Sequence, residues 1–221
     1  MEIVATLVDK PESVYDILDS VPRDSVVLLP EGATIGWGKW DTYVKHEVMA
    51  EIARRRGLFV VANKSTTENG SRYNTMIGYE KGLPVWRVRK YFLWDDETDS
   101  IDSPPRPEPM VTIRGKKVGV AICYELSKVA GFGRLFAIGR ILAENQAELL
   151  LMPAHWQFFW ALPMFVSDTV VKIIPSIIGG GFSSSNLKDL KSYAMVFKRG
   201  HNGSAEFKRT HERNSWVSLE F

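Results

Sequence analysis

Three stretches of this chain, VVLLP at 26–30, VGVAI at 118–122 and LLLMP at 149–153, run apolar without polar alternation. A strand with one wet face alternates apolar with polar residues; a short unbroken apolar run belongs to a strand covered on both faces. The chain must therefore build a sheet with layers packed on each side. The longest apolar stretch, FFWALPMFV at 158–166, includes a proline and is about half of the ~20 residues a membrane span needs. No membrane partner is expected.

Further strand candidates are EIVATLV, GLFVVAN, NTMIGYE, LPVWRVRK, MVTIRG, SYAMVFK, SAEF and SWVSLEF. Between strands, TYVKHEVMAEIARRR brings Val44, Val48 and Ile52 round every four residues, and GRLFAIGRILAENQ does the same with Leu135, Gly139 and Leu142, the spacing of helices with one apolar face. Strand–helix alternation mixed with hairpin signals at Gly82-Leu83-Pro84 and Arg114-Gly115 predicts a layered α/β (α+β) domain spanning 1–221. The acidic, proline-rich stretch 94–109 reads as a long exposed loop of the kind that often carries function.

With 28 basic against 26 acidic residues the formal net charge is +2, which gives no general attraction to nucleic acid. The run Arg54-Arg55-Arg56 precedes Gly57 and suits a helix C-terminus. The first residues lack a basic leader and cleavage site, and a single cysteine cannot form an internal disulfide. A reducing, cytoplasmic location is expected. The four histidines show no ligand spacing, so no metal and no cofactor is expected.

That one cysteine, Cys123, ends the run VGVAI. Alone it would read as a small core residue, but two other apolar runs also end in a charge, LLPE at Glu31 and WRVRK at Lys90. If the three strands lie side by side with one polarity, their C-terminal ends bring Glu31, Lys90 and Cys123 into one pocket. A thiol attacks an acyl carbon as thiolate, so it needs a base or a cation close by. Glu31 fits the base, its apolar approach raising its pKa toward the working range. Lys90 fits the stabiliser of a developing oxyanion, helped by a backbone N–H such as that of Tyr124. This set implies acyl transfer through a thioester.

LLPEGATIG, NTMIGYEKGLPVWRVRK and GVAICYEL, followed by a helix and AELLLMPAHW, resemble in that order the signature segments of the nitrilase, or carbon–nitrogen hydrolase, superfamily. The resemblance covers residues 1–156 well and the remainder poorly. It implies a four-layer α-β-β-α sandwich with Glu31 as base, Lys90 as oxyanion stabiliser and Cys123 as nucleophile. It also implies a second glutamate after the lysine, for which Glu97 is the nearest match, with Asp95 and Asp96 as rivals. Glu125 matches the acid after the cysteine and suits a structural role beside the nucleophile. His155 and Trp156 fall where the family's cleft wall would stand. A homodimer is expected, covering FFWALPMFV.

Departures follow the cysteine. LSKVAGFGR replaces an arginine and a Phe-Pro-Glu turn, Asp168 and Val171 stand where arginine and glutamate would, and Gly179-Gly180-Gly181 points to close backbone approach or a positive φ. The reading these features support is a hydrolase of a small amide or nitrile, with amides favoured. An acyltransferase, or a nitrilase-like protein that binds without turnover, is the alternative.

Overall fold

In a computed structural model, residues 1–33, 44–93, 98, 100–126, 132–155, 162–185 and 193–221 are described. The strands are β1 (Glu2–Val8), β2 (Val26–Leu28), β3 (Phe59–Glu68), β4 (Ser71–Glu80), β5 (Leu83–Arg89), β6 (Met110–Ile113), β7 (Lys116–Val120), β8 (Leu149–Ala154), β9 (Gly179–Ser185), β10 (Ala194–Arg199), β11 (Ala205–Thr210) and β12 (Ser215–Glu220). The helices are α1 (Ser13–Ser20), α2 (His46–Arg56), α3 (Phe132–Glu144) and α4 (Leu162–Ile173), with a 3₁₀ turn at Cys123–Leu126. The main sheet order is β5-β4-β3-β2-β1-β9-β8-β7-β6, with β10 on β9, β11 on β10 and β12 on β1.

The three apolar runs account for the layering. Val26 and Leu28 of β2 join Ile3, Ala5, Phe59, Met76, Val118, Val120, Leu149 and Leu151 in a core built from strands and strand ends alone. Val27 and Leu29 turn to the other face, where α1 (Val14, Ile17, Leu18) and α2 (Met49, Ile52, Ala53) cover them. In the other half of the sheet, Ala121, Leu150 and Met152 face Ile138 and Leu142 of α3 and Val166, Val170 and Val171 of α4. Three cores separate four layers, helix, sheet, sheet and helix, and each side chain fully buried this way contributes about 1.5–3 kcal/mol. This is the expected α-β-β-α sandwich.

The α2 helix begins at His46 and buries Met49, Ile52 and Ala53. The Val44–Val48–Ile52 stripe is thus corrected: Val48 is exposed, one helical step off the buried face. The Arg54–Arg56 run does occupy the last turn, and Gly57 caps it with φ +72°.

Strand β9 was not legible as a strand, since glycine and serine are poor strand formers. It nevertheless pairs in parallel with β8 from Gly179 to Ser184, and with β1 at Leu7–Ser184 and Val8–Ser185. A Cβ on Gly180 would stand 1.9 Å from the Leu150 carbonyl oxygen, and one on Gly179 would meet the Phe221 ring at 2.2 Å. The glycines serve close backbone approach, and none of the three has a positive φ. Next to the short β1–β9 pairing, Ser183 Oγ accepts the Thr6 N–H (2.9 Å) and donates to the Leu28 carbonyl (2.6 Å).

Candidate active site

The strands carrying the candidate residues share one polarity. β1, β2 and β3 run parallel, β5 returns to that direction after two antiparallel steps, and β9, β8 and β7 continue it. They do not lie side by side, however. β3 and β4 separate β2 from β5, and β7 belongs to the half of the sheet beyond β9. Face-to-face packing of the two halves, instead of strand adjacency, brings their C-terminal ends together.

Glu31 follows β2 in the turn Pro30–Ala33, where Gly32 takes φ +82°. Glu31 is 4% exposed, and its Oε1 accepts hydrogen bonds from Lys90 Nζ at 2.8 Å and Asn74 Nδ2 at 2.8 Å. Asn74 is held in turn by Asn63, whose Nδ2 donates to Asn74 Oδ1 at 2.6 Å and whose Oδ1 accepts the Gly32 N–H at 3.2 Å. Lys90 prolongs β5 by donating its N–H to the Asn74 carbonyl at 2.8 Å, which aims its side chain inward. Neither asparagine was given a role from sequence. The available signal was an amide side chain inside a buried strand, a position that demands partners.

Cys123 opens the 3₁₀ turn after β7 with φ +49°, a sparsely populated conformation for a residue with a Cβ. Its Sγ lies 3.9 Å from the His155 carbonyl oxygen at the end of β8. Its thiol also feels the charges of the Glu31 carboxylate and the Lys90 ammonium. Glu125, two residues on, is buried. Its Oε2 accepts the Ile122 N–H at 2.8 Å, and its Oε1 accepts those of Tyr91 at 2.7 Å and Phe92 at 3.4 Å.

These environments set the proton positions. For Glu31, burial opposes ionisation, but the Lys90 charge and hydrogen bonds from Lys90 and Asn74 together outweigh it, and its pKa is lowered. The sequence expectation of a raised pKa is corrected: an ion pair, not the apolar approach, dominates. Burial and then the charge of Glu31 push the Cys123 thiol well up, against the pull of Lys90. The resting arrangement is therefore a carboxylate and a neutral thiol, so the thiolate that attack requires forms only as a base takes the proton. Burial also raises Glu125, to about 7.

Of the remaining candidates, the Tyr124 backbone lies in the 3₁₀ turn. Glu97, its rivals Asp95 and Asp96, Trp156 and residues 158–161 of FFWALPMFV lie outside the described residues. Among the described residues, no group of three or more His, Cys, Asp or Glu is arranged to hold a metal ion, and no helix is long and apolar enough to cross a membrane.

Comparison with known proteins bears on the fold and the family. The amidase from Nesterenkonia sp. AN1, in a mutant showing the result of Michael addition of acrylamide at the active site cysteine, is similar in structure with a TM-score of 0.75. The match has 14% identity and covers 100% of this chain and 93% of that one. XC1258 from Xanthomonas campestris, a CN-hydrolase superfamily protein with an arsenic adduct in the active site, matches with a TM-score of 0.74 and 16% identity over 99% of this chain and 89% of that one. A deaminated glutathione amidase from Escherichia coli O157:H7 is 29% identical over 91 residues, 39% of this chain and 32% of that protein. The matched segment spans less than half the length of the curated relatives. The carbon–nitrogen hydrolase family model matches residues 24–163, a segment that contains Glu31, Lys90 and Cys123, and the chain belongs to that family.

Proposed function

We propose that this protein is an amidase that hydrolyses a small non-peptide amide through a Cys123 thioester. The observation that carries this reading is the buried Glu31–Lys90 pair at 2.8 Å, both of whose charges act on the one thiol of the chain. Amidase names among the relatives and structural neighbours support the choice of amide over nitrile.

The chemistry follows from the resting protonation. As Sγ attacks the amide carbon, the Glu31 carboxylate accepts the thiol proton, so no free thiolate need accumulate. The carbonyl oxygen gathers negative charge, which Lys90 Nζ and a backbone N–H such as that of Tyr124 neutralise. Glu31 then delivers its proton to the departing nitrogen, and ammonia or an amine leaves the acyl-thioester behind. Water takes the vacated place and gives a proton to Glu31 as its oxygen attacks the thioester. Collapse expels the Cys123 sulfur, which recovers that proton, and the carboxylic acid is released. His155 and Trp156 are the proposals for the pocket wall that would set the substrate, and Glu97 for positioning the base or the substrate amine.

The test is a screen of small amides and nitriles followed by ammonia release, run on the protein and on Cys123→Ala. Amide turnover that depends on Cys123 supports the reading. Ligands that raise the melting temperature of both proteins without any Cys123-dependent ammonia would replace it with a binding protein.

A further inference from the structure

Glu125 is a buried acid that the hydrolytic cycle does not use, and its three described hydrogen bonds all come from backbone N–H groups of two separate segments. Tyr91 and Phe92 immediately follow Lys90, while Ile122 immediately precedes Cys123. The two segments sit at the ends of β5 and β7, which are not paired with each other and belong to different halves of the sheet. One carboxylate thus fastens the backbone next to the cation to the backbone next to the thiol. It also holds the turn that keeps Cys123 at φ +49°, a conformation that persists only where surrounding contacts over-determine it.

We propose that Glu125 is the positioning residue that fixes the Lys90 strand end against the Cys123 turn, and so sets the distance between ammonium and thiol. The proposal rests on the reading of Lys90 and Cys123 as reacting groups. Of the titratable and charged groups nearby, Lys90 after β5 acts on Glu125 as a charge, Cys123 shares its turn, and that turn packs against β8, which His155 follows. On α3, which packs against the same turn, the described charges Arg140 and Glu144 pair with each other at the surface. Burial places the Glu125 titration at about 7. A protonated carboxyl carries an O–H donor and has less acceptor capacity for three N–H groups. The bridge is therefore at full strength only when Glu125 is ionised.

The experiment compares wild type with Glu125→Gln and Glu125→Asp in three readouts: kcat against KM on an amide substrate, the rate of Cys123 alkylation by iodoacetamide across the neutral pH range, and amide exchange at Tyr91 and Ile122. In Glu125→Gln, kcat is expected to fall roughly tenfold to a hundredfold with KM little changed, the scale of a small misplacement of reacting groups. Wild-type alkylation should show an inflection near pH 7 that Glu125→Gln lacks, and at least one of the two amides should lose protection. Glu125→Asp, one methylene short of spanning both segments, should fall between the two. If Glu125→Gln does not fold, slower alkylation of Glu125→Asp than of wild type carries the same test. Wild-type kcat, alkylation profile and amide protection in whichever variant folds would overturn the proposal. If the wild type hydrolyses no amide, the alkylation and exchange readouts still decide the bridge, so failure of the amidase reading is distinguishable from failure of this one.

Discussion

Glu31 and Glu125 end two different strand segments, are 4% and 2% exposed respectively, and titrate in opposite directions. Burial is the largest influence on both and raises both. The difference lies in what each carboxylate touches. Glu31 accepts hydrogen bonds from an ammonium at 2.8 Å and from the Asn74 amide at 2.8 Å. Glu125 receives three backbone N–H groups and feels Lys90 only as a charge at longer range. Three peptide dipoles do not offset removal from water here, whereas one contacting cation with a further amide donor does. The site holds one committed carboxylate, fit to accept a proton, and one poised near neutrality.

Ways to break this comparison can be ranked by size. The largest effect is on the reaction that the Glu31 side serves: Cys123→Ala should abolish ammonia release while leaving substrate binding near wild type, because little volume is lost. Substrate turnover by that variant would end the nucleophile assignment.

Lys90→Met should make Glu31 behave as Glu125 does. It leaves a buried carboxylate without its countercharge, at a cost of about 3–5 kcal/mol, seen as an earlier denaturant midpoint at neutral pH. Adding Glu31→Gln should restore much of the loss, and a Lys90→Met protein as stable as wild type would show that the pair does not hold Glu31 ionised.

The pH dependence of stability sharpens the contrast. Glu125 is raised from 4.5 to about 7 on folding, so the folded form binds the proton more tightly, and this group's contribution is present below pH 4.5 and lost as pH rises to about 7. The loss reaches about 3 kcal/mol, and Glu125→Gln should flatten that part of the stability curve. Glu31 is lowered, so its contribution is present above pH 4.5 and disappears as pH falls through its folded value. Glu31→Gln should therefore flatten only the acid side. The smallest effect is expected from Asn74→Ala, which removes one donor to Glu31 and the partner of Asn63, costing about 1–3 kcal/mol in chemical denaturation.

Much of this was legible in the residues. The runs at 26–30, 118–122 and 149–153 announced strands covered on both faces, and charges directly after apolar runs singled out Glu31, Lys90 and Cys123. The strand β9 was not legible, because its glycines are explained by the Leu150 carbonyl and the Phe221 ring that crowd them, and neither neighbour is close in sequence. The buried face of α2 was misplaced because Val48 has a core-like side chain that only the helix orientation leaves exposed.

The sequence by itself determined that Glu31, Lys90 and Cys123 are candidates standing at strand ends, since local patterning and residue chemistry are properties of short segments. Only the tertiary structure decided their state. Whether a buried glutamate is ionised depends on which donors and cations other strands bring within contact, and that follows from packing across 59 residues between Glu31 and Lys90 and 34 between Tyr91 and Glu125. The same packing reversed the expected pKa direction of Glu31, because an interaction that depends on distance and on local burial cannot be read from residue order.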